Sequence, residues 1–286
     1  MPKKYKPIKI RTYVFIDLET SGMPVQENNK TRITEISLVA VKREHLLDTR
    51  PGYSPRVQQR ITLCVNPGKY IDPGATKVSG LCNDLLEYEP TFNQDLFNTL
   101  NSFINLLMKP ICLVAQNGLN FDFPILRNHF EKLGVSFAQD VKCADCFHAF
   151  YHIMERKDSI PKLEDIESES DNSQNIQATN ESSPTSSPTK VCPETPIKRG
   201  INRSRVRRRF PWADGNRPKD KYKLKYIYER LLNRTALNPH RAENDCLLAL
   251  ECAAALSKQF VDWIDRNNCL FSRIQPMTIG VPLHQA

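Results

Sequence analysis

The stretch Tyr13–Met23 reads YVFIDLETSGM: it begins as an apolar β-strand and ends in two carboxylates. Side chains alternate between the two faces of a strand, so Asp17 and Glu19 project from the same face, with Cβ atoms about 6 to 7 Å apart. Two like charges at that spacing favour a bound cation. Acidic residues are mostly exposed, so a strand end that reaches solvent is the simpler alternative. Both interpretations remain open on this stretch alone.

Two more carboxylates and a histidine occur in similar settings. Asp122 follows an apolar run and an Asn-Gly turn in AQNGLNFDFPIL, and Asp245 lies in HRAENDCLLAL, at the start of a predicted helix. Taken singly, Asp122 suits a helix N-cap, Asp245 suits the positive end of a helix dipole, and His240 suits an exposed loop. The joint pattern of four carboxylates and one histidine indicates a site.

The apolar periodicity predicts an α/β domain with a mixed central β-sheet flanked by helices. Strands are expected at Arg11–Leu18, Arg32–Lys42, Arg60–Val65 and Ile111–Gln116. Helices are expected at Thr91–Met108, Pro124–Gly134 and Ala242–Ile264, with another beginning near Asp145. The first three strands follow one another without a helix, which predicts an antiparallel meander, and the fourth returns after a helix.

The domain is predicted to be discontinuous. Glu167–Lys190 has almost nothing to bury and is expected to be disordered, and Lys198–Lys225 holds twelve basic residues against two acidic ones. The expected parts are a first domain segment, a disordered insert that is acidic and serine-rich and then basic, a second domain segment and a C-terminal tail, at residues 1–160, 161–220, 221–270 and 271–286.

Composition narrows the class of protein. The formal net charge of +8 favours a polyanionic partner. Nine cysteines, with no apolar signal segment at the start of the sequence, favour reduced thiols in the cytoplasm or the nucleus. No run approaches the roughly 18 apolar residues that a membrane span needs.

One segment invites a zinc interpretation. CADCFHAFYH, at Cys143–His152, holds two cysteines and two histidines. The gap between the cysteine pair and the first histidine is too short for a usual zinc finger, and an amphipathic helix from near Asp145 explains these residues more simply.

The motifs resemble those of the DEDDh 3′-to-5′ exonucleases of the ribonuclease H-like fold. The match is DLET at Asp17–Thr20, NFDFP at Asn120–Pro124 and HRAEND at His240–Asp245, in the family's order. Within that group the sequence is most similar to the three-prime repair exonucleases. CVNPGKYIDPGATKVSGLC at Cys64–Cys82 and YKLKYIYERLL at Tyr222–Leu232 are similar to segments of those enzymes.

The resemblance implies a reaction and a partner. The family releases 5′-mononucleotides from DNA 3′ ends, single-stranded or frayed, and its members are homodimers. Two Mg²⁺ ions, which Mn²⁺ can replace, would be held by Asp17, Glu19, Asp122 and Asp245, with His240 as the general base. Carboxylate oxygens are the hard ligands that Mg²⁺ prefers.

The same resemblance implies which residues hold the 3′ end. They are Glu19, Thr20, Met23, Pro24, Val78, Phe121 and His240. Apolar and aromatic contacts tolerate every base, as a nuclease without sequence preference requires. For Val78 and Phe121 the alternative is core packing. Gln116 departs from the family, which usually has histidine there.

Three alternatives remain open on the sequence. The chain could be a 3′-to-5′ exoribonuclease, because the residues that sense a 2′-hydroxyl cannot be identified. It could be a catalytically weak nucleic-acid-binding protein that acts through its basic insert. The arginine run of that insert could grip the DNA backbone or serve nuclear localisation; its members are Arg203, Arg205, Arg207, Arg208 and Arg209.

Overall fold

The computed structural model describes residues 9–158, 221–237 and 239–279. Six strands form one sheet in the order β3-β2-β1-β4-β5-β6. The strands are β1 Thr12–Thr20, β2 Ile33–Lys42, β3 Gln59–Cys64, β4 Ile111–Ala115, β5 Lys142–Asp145 and β6 Cys269–Leu270. The described helices are α1 Arg43–Asp48, α2 Pro73–Ser79, α3 Gln94–Leu106, α4 Asp122–Leu133, α5 Cys146–Asp158, α6 Leu224–Leu232, α7 Ala242–Ala255 and α8 Ser257–Arg266.

The sheet confirms the predicted mixed topology. β1 pairs with β2, and β2 pairs with β3, both antiparallel, so the strand pairing of the expected meander is confirmed. The expectation that no helix separates these strands is wrong, because the short α1 lies between β2 and β3. β4 returns parallel to β1, β5 runs parallel to β4, and β6 closes the other edge antiparallel to β5. The mixed sheet with helices around it agrees with a ribonuclease H-like fold.

Several helix boundaries differ from the sequence-based expectation. The Asn93 side chain accepts a hydrogen bond from Leu96 N at 3.0 Å, so α3 begins at Gln94 and not at Thr91. α4 begins at Asp122, two residues before the expected start, because Pro124 is tolerated in a first turn. The single helix expected over Ala242–Ile264 is wrong: the backbone departs from helical geometry at Leu256, which separates α7 from α8.

The two faces of β1 bury different partners. Val14, Ile16 and Leu18 belong to the main hydrophobic core, which α3 and α4 also line. On the opposite face, the rings of Tyr13 and Phe15 each lie 6.1 Å from the ring of Phe260 in α8. Because side chains alternate, the face that carries Tyr13 and Phe15 continues into the carboxylates at the end of the strand.

The described residues up to Glu155 and from Lys221 onward belong to one compact unit. The disordered insert expected at residues 161–220, with its arginine run, lies outside the described residues. Phe271 and Met277, in the segment expected to be a tail, are buried in the core. In the part of the chain that the structure describes, every helix is too short or too polar to cross a membrane.

Candidate active site

The candidate site begins where β1 ends. Asp17 and Glu19 are half-buried and lie opposite Ser37 and Glu35 of β2, and the register shifts directly after Glu19. α7 packs against both strands from the side of this face. The two carboxylates are therefore covered by a helix, and the alternative of a strand end that opens freely to solvent does not describe them.

Asp122 joins this site from the first turn of α4. Its side chain is buried, and its Oδ1 accepts a hydrogen bond from Leu18 N at 3.1 Å. The N-cap position belongs to Phe121, which makes no side-chain capping bond. The N-cap interpretation of Asp122 is therefore wrong, because its carboxylate is bound to β1 next to Asp17.

The loop before Asp122 is held by a residue that the sequence analysis missed. Asp145, at the end of β5, accepts hydrogen bonds from Asn117 N at 2.9 Å and Leu119 N at 3.2 Å. Its negative charge also contributes to the raised pKa of Asp122. In the sequence, the only signal for this role was the carboxylate of Asp145, which lay inside the segment considered for zinc.

Asp245 and His240 enter from the start of α7. Asp245 Oδ2 accepts a hydrogen bond from His240 N at 3.0 Å, and the exposed His240 has a left-handed backbone with φ of 68°. Glu19, His240 and Asp245 each offer one ligand atom, and these atoms lie within 4.8 Å of one another. This group forms part of the predicted metal site, and Asp17 and Asp122 lie beside it rather than within it.

Burial and mutual repulsion make these carboxylates reluctant to ionise without a cation. Burial, and then the charges of Asp245, Glu35 and Asp122, raise the pKa of Glu19 to about 8. Burial also raises the pKa of Asp122 to about 8, although hydrogen bonds from backbone N–H groups oppose the shift.

The other two carboxylates shift in the same direction. The pKa of Asp17 is raised well above its usual range by burial and by the neighbouring carboxylates. Burial raises the pKa of Asp245, which the hydrogen bond from His240 N partly offsets. Clustered oxygen ligands that repel one another match the needs of a hard divalent cation, so the residues present fit such an ion.

Glu35 is a further acidic residue of the site that the sequence analysis missed. It lies directly opposite Glu19 across the β1–β2 pair, where like charges are destabilising. Its Oε2 accepts a hydrogen bond from Ala242 N at 2.8 Å, at the first residue of α7. Glu35 therefore connects the strand that carries it to the helix that carries Asp245. The only sequence signal was an acidic residue within the apolar run of β2.

Two of the residues expected to hold the 3′ end, Met23 and Val78, lie on connected segments. Met23 and Val78 are 55% and 51% exposed, so core packing is wrong for Val78. The loop that carries Met23 is joined to the N-terminus of α2 by the hydrogen bond from Asp72 N to Ser21 O at 2.7 Å. The side chains of Met23 and Val78 are therefore exposed to solvent on two segments that this hydrogen bond holds together.

The other residues of that set are less exposed. Pro24 and Thr20 are buried, and Thr20 Oγ1 donates to Gly22 O at 3.1 Å. Phe121 is half-buried and packs against the core, so the core interpretation describes part of its surface. Thr20 and Pro24 shape the turn after β1 more than they offer contact area.

Gln116 has a structural partner in this chain. Its Nε2 donates to Tyr222 O at 3.0 Å, and its Oε1 accepts from Cys146 Sγ at 3.3 Å. The Cys143 thiol instead lies 3.5 Å from the Cys269 sulfur. Across the described ranges, the group of Glu19, His240 and Asp245 is the one that could hold a metal, so the structure gives the zinc interpretation of Cys143–His152 no support.

Comparison with known proteins agrees with this geometry. A family model described as Exonuclease matches residues 14–172. Three-prime repair exonuclease 1 of Bos taurus is 29% identical over 283 residues, which cover 96% of this chain and 72% of that protein. Three prime repair exonuclease 2 of Mus musculus is 36% identical over 151 residues, which cover 50% of this chain and 63% of that protein.

Among solved structures, E. coli exonuclease I in complex with a dT13 oligonucleotide shares the fold. It superposes with a TM-score of 0.52 at 14% sequence identity, covering 90% of this chain. The chain spans 43% of the length of that enzyme. The family model covers more than half of this chain, and the resemblance to the three-prime repair exonucleases extends over nearly all of it. The chain therefore belongs to the Exonuclease family.

Proposed function

We propose that this protein is a metal-dependent 3′-to-5′ exodeoxyribonuclease that releases 5′-mononucleotides. The observation that carries the proposal is the convergence of Asp17, Glu19, Asp122 and Asp245 on the end of β1, with His240 beside them. A protein that only binds nucleic acid would not benefit from clustered carboxylates next to a polyanion. This observation favours the enzyme over the weak binding protein.

The carboxylates would hold two Mg²⁺ ions, which Mn²⁺ can replace. When bound, the ions stabilise charge on the scissile phosphate and lower the pKa of the attacking water. Glu19 and Asp245 approach each other closely enough to bind one ion together. Asp17 of β1 and Asp122 of α4, whose carboxylate is bound to β1, would supply the remaining oxygen ligands.

His240 is proposed to be the general base. Its imidazole accepts a proton from the attacking water, whose oxygen bonds to phosphorus while the bond to the 3′ oxygen breaks. The exposed position of His240 allows its ring to reach a bound substrate, while its backbone N–H stays bound to Asp245.

The substrate is proposed to be a DNA 3′ end, single-stranded or frayed. Met23 and Val78 offer exposed apolar contacts to the terminal bases, with Phe121 and Pro24 behind them. DNA is favoured as the substrate by the names of two similar proteins. One is three-prime repair exonuclease 1, and the other is E. coli exonuclease I in complex with a dT13 oligonucleotide. An exoribonuclease remains the runner-up.

The assembly and location of the protein are also proposals. The resemblance to the three-prime repair exonucleases supports a homodimer, which light scattering of the purified protein would test. The eight described cysteines are all free thiols, which supports a reducing compartment, the cytoplasm or the nucleus.

Side-by-side digestion of matched DNA and RNA oligonucleotides, each labelled at the 5′ end, tests the function. We expect a ladder that shortens from the 3′ end with Mg²⁺ and stops with a chelator, and faster shortening of DNA. Faster shortening of RNA would favour the runner-up. No shortening of either strand, with binding retained, would favour the binding protein.

A further inference from the structure

Two cysteines face each other across the edge of the sheet that β5 and β6 form. Cys143 of β5 and Cys269 of β6 are cross-strand partners, and their sulfur atoms lie 3.5 Å apart. Directly opposed residues of an antiparallel pair have Cα atoms about 4.5 to 5.5 Å apart, within the usual span of a disulfide. The backbone therefore already has the spacing that a disulfide requires.

The two thiols differ in environment. Cys143 is fully buried, and burial raises its pKa well above the usual range. Cys269 is half-buried. Its pKa is lowered by the hydrogen bond with Cys143, and by the positive charges of Arg273 and Lys142, although burial opposes the shift. Cys269 is thus the less buried of the two residues and the one that favours the thiolate, and Cys143 is a protonated partner in contact with it.

We propose that Cys143 and Cys269 form an oxidative modification site that a peroxide converts to an intramolecular disulfide. The Cys269 thiolate attacks one peroxide oxygen and the O–O bond breaks, which gives a sulfenic acid and, for hydrogen peroxide, hydroxide. The Cys143 sulfur then attacks the Cys269 sulfur and displaces the sulfenic oxygen, and the thiol proton leaves with that oxygen as water. Two thiols are oxidised and one peroxide is reduced.

The buried Cys143 explains why we expect a disulfide at Cys269 rather than further oxidation of that sulfur or reaction at another cysteine. A sulfenic acid next to a second thiol condenses to a disulfide before further oxidation. Cys64 and Cys82 are also half-buried, but the hydrogen bonds of the described residues pair neither of them with a second sulfur. Cys112 is a competitor, because electrostatic interactions link it to both Cys143 and Cys269. Its thiol, however, donates a hydrogen bond to Leu113 O at 3.5 Å, whereas the Cys143 thiol contacts the Cys269 sulfur. The proposal is independent of the nuclease function.

The test is disulfide mapping of the full-length protein. The protein is treated with hydrogen peroxide, its remaining thiols are alkylated in denaturant, and peptides are analysed by mass spectrometry without reduction. We expect the Cys143 and Cys269 peptides to appear as one linked species that is about 2 Da lighter than their sum. A linked species that contains Cys112 instead of Cys143, or sulfinic acid on an unlinked Cys269, would overturn the proposal.

A gel assay gives a second measurement. Cyanogen bromide cleaves after Met108, Met154 and Met277, so Cys143 falls in fragment 109–154 and Cys269 in fragment 155–277. We expect the two fragments of the oxidised protein to migrate together until they are reduced.

Cysteine variants identify the two sulfur atoms that form the cross-link. Cys269→Ser should separate the fragments without reduction, and the matched half-buried control Cys82→Ser should leave them linked. Cys143→Ala tests whether Cys143 supplies the second sulfur of the cross-link. If this buried change prevents folding, disulfide mapping of the unaltered protein identifies that sulfur instead. Fragments of Cys269→Ser that remain linked after peroxide would show that another cysteine forms the bond.

Discussion

His240 N donates a hydrogen bond to Asp245 Oδ2 at 3.0 Å, so the proposed base and a proposed metal ligand are held in one turn of the chain. The turn needs the left-handed backbone of His240, which most residues other than glycine and asparagine avoid. A change at either residue therefore acts on the other. The experiments below separate the imidazole of His240 from the turn that places it.

Asp17→Asn should abolish turnover while the protein stays folded. The change removes one charge from a cluster of buried carboxylates, so the melting temperature in chelator should not fall, and the rise in melting temperature on addition of Mg²⁺ should shrink. Asp245→Asn should behave likewise. Changes around a metal ligand cost about 10- to 100-fold, so activity within about tenfold of the parent would contradict the assignment of Asp17 as a ligand.

His240→Ala should lower kcat by about 10²- to 10⁴-fold, the usual effect of losing a general base. Because alanine is strained at positive φ, His240→Asn is the matched variant that tolerates this backbone and still lacks the imidazole. Both variants should lose similar activity and retain metal affinity, measured by calorimetry. A metal affinity that falls as far as the rate would make His240 a ligand.

The metal-free protein should lose stability as the pH rises from about 4.5 to about 8. An unfolded Glu19 releases its proton near the ordinary glutamate pKa of 4.5, whereas the folded one holds it until about 8. Between these values the folded state binds more protons, so raising the pH favours unfolding. Thermal melts in chelator should show this decline, and excess Mg²⁺ should reduce or reverse it. A melting temperature in chelator that stays constant over this range would contradict the raised pKa.

Glu35→Ala should lower activity by about 10- to 100-fold, the range for a group that orients a metal ligand. The change removes the acceptor for Ala242 N at the start of α7, whereas Glu35→Gln keeps an oxygen there and should retain more activity. Glu243→Ala is the control, because Glu243 lies on the same turn but pairs with Arg60. Equal losses in Glu35→Ala and Glu35→Gln would assign the effect to charge rather than to the hydrogen bond.

The arginine run of the basic insert should contribute to DNA affinity. Each phosphate contact that is removed should reduce the slope of log affinity against log salt by about 0.7 for a single strand. Replacing Arg203, Arg205, Arg207, Arg208 and Arg209 with alanine should flatten that slope and leave turnover at saturating DNA nearly unchanged. The measurement is a salt titration of binding in calcium. An unchanged slope would leave localisation or a protein partner as the use of these residues.

The strand pattern was predictable, and some boundaries were not. Apolar runs with turn residues between them suffice for the β1–β2–β3 meander, because consecutive strands pair locally. The residues around Leu256 include no glycine or proline, so the break between α7 and α8 has no strong signal in the sequence. β5 is four residues long, too short for a period, and the sequence analysis missed it.

Only part of the candidate site could be predicted from the sequence. The shared face of Asp17 and Glu19 is a consequence of strand geometry. The approach of Asp245, more than 220 positions later, came from the motif resemblance and not from any local pattern. Glu35 was missed because its partner, Ala242, is 207 positions away and offers only a backbone N–H. Contacts of this kind are made by the fold and leave no local trace in the sequence.

The proposed metal site is assembled from both sides of the insert. Asp17, Glu19 and Asp122 precede it, and His240 and Asp245 follow it, with α7 packed against β1 and β2. A fragment that ends within the insert retains three of the four proposed carboxylate ligands and lacks the proposed base. Two separately expressed fragments, split within residues 159–220, would recover exonuclease activity only when they associate. The insert is therefore a natural place to divide the protein into a complementation reporter.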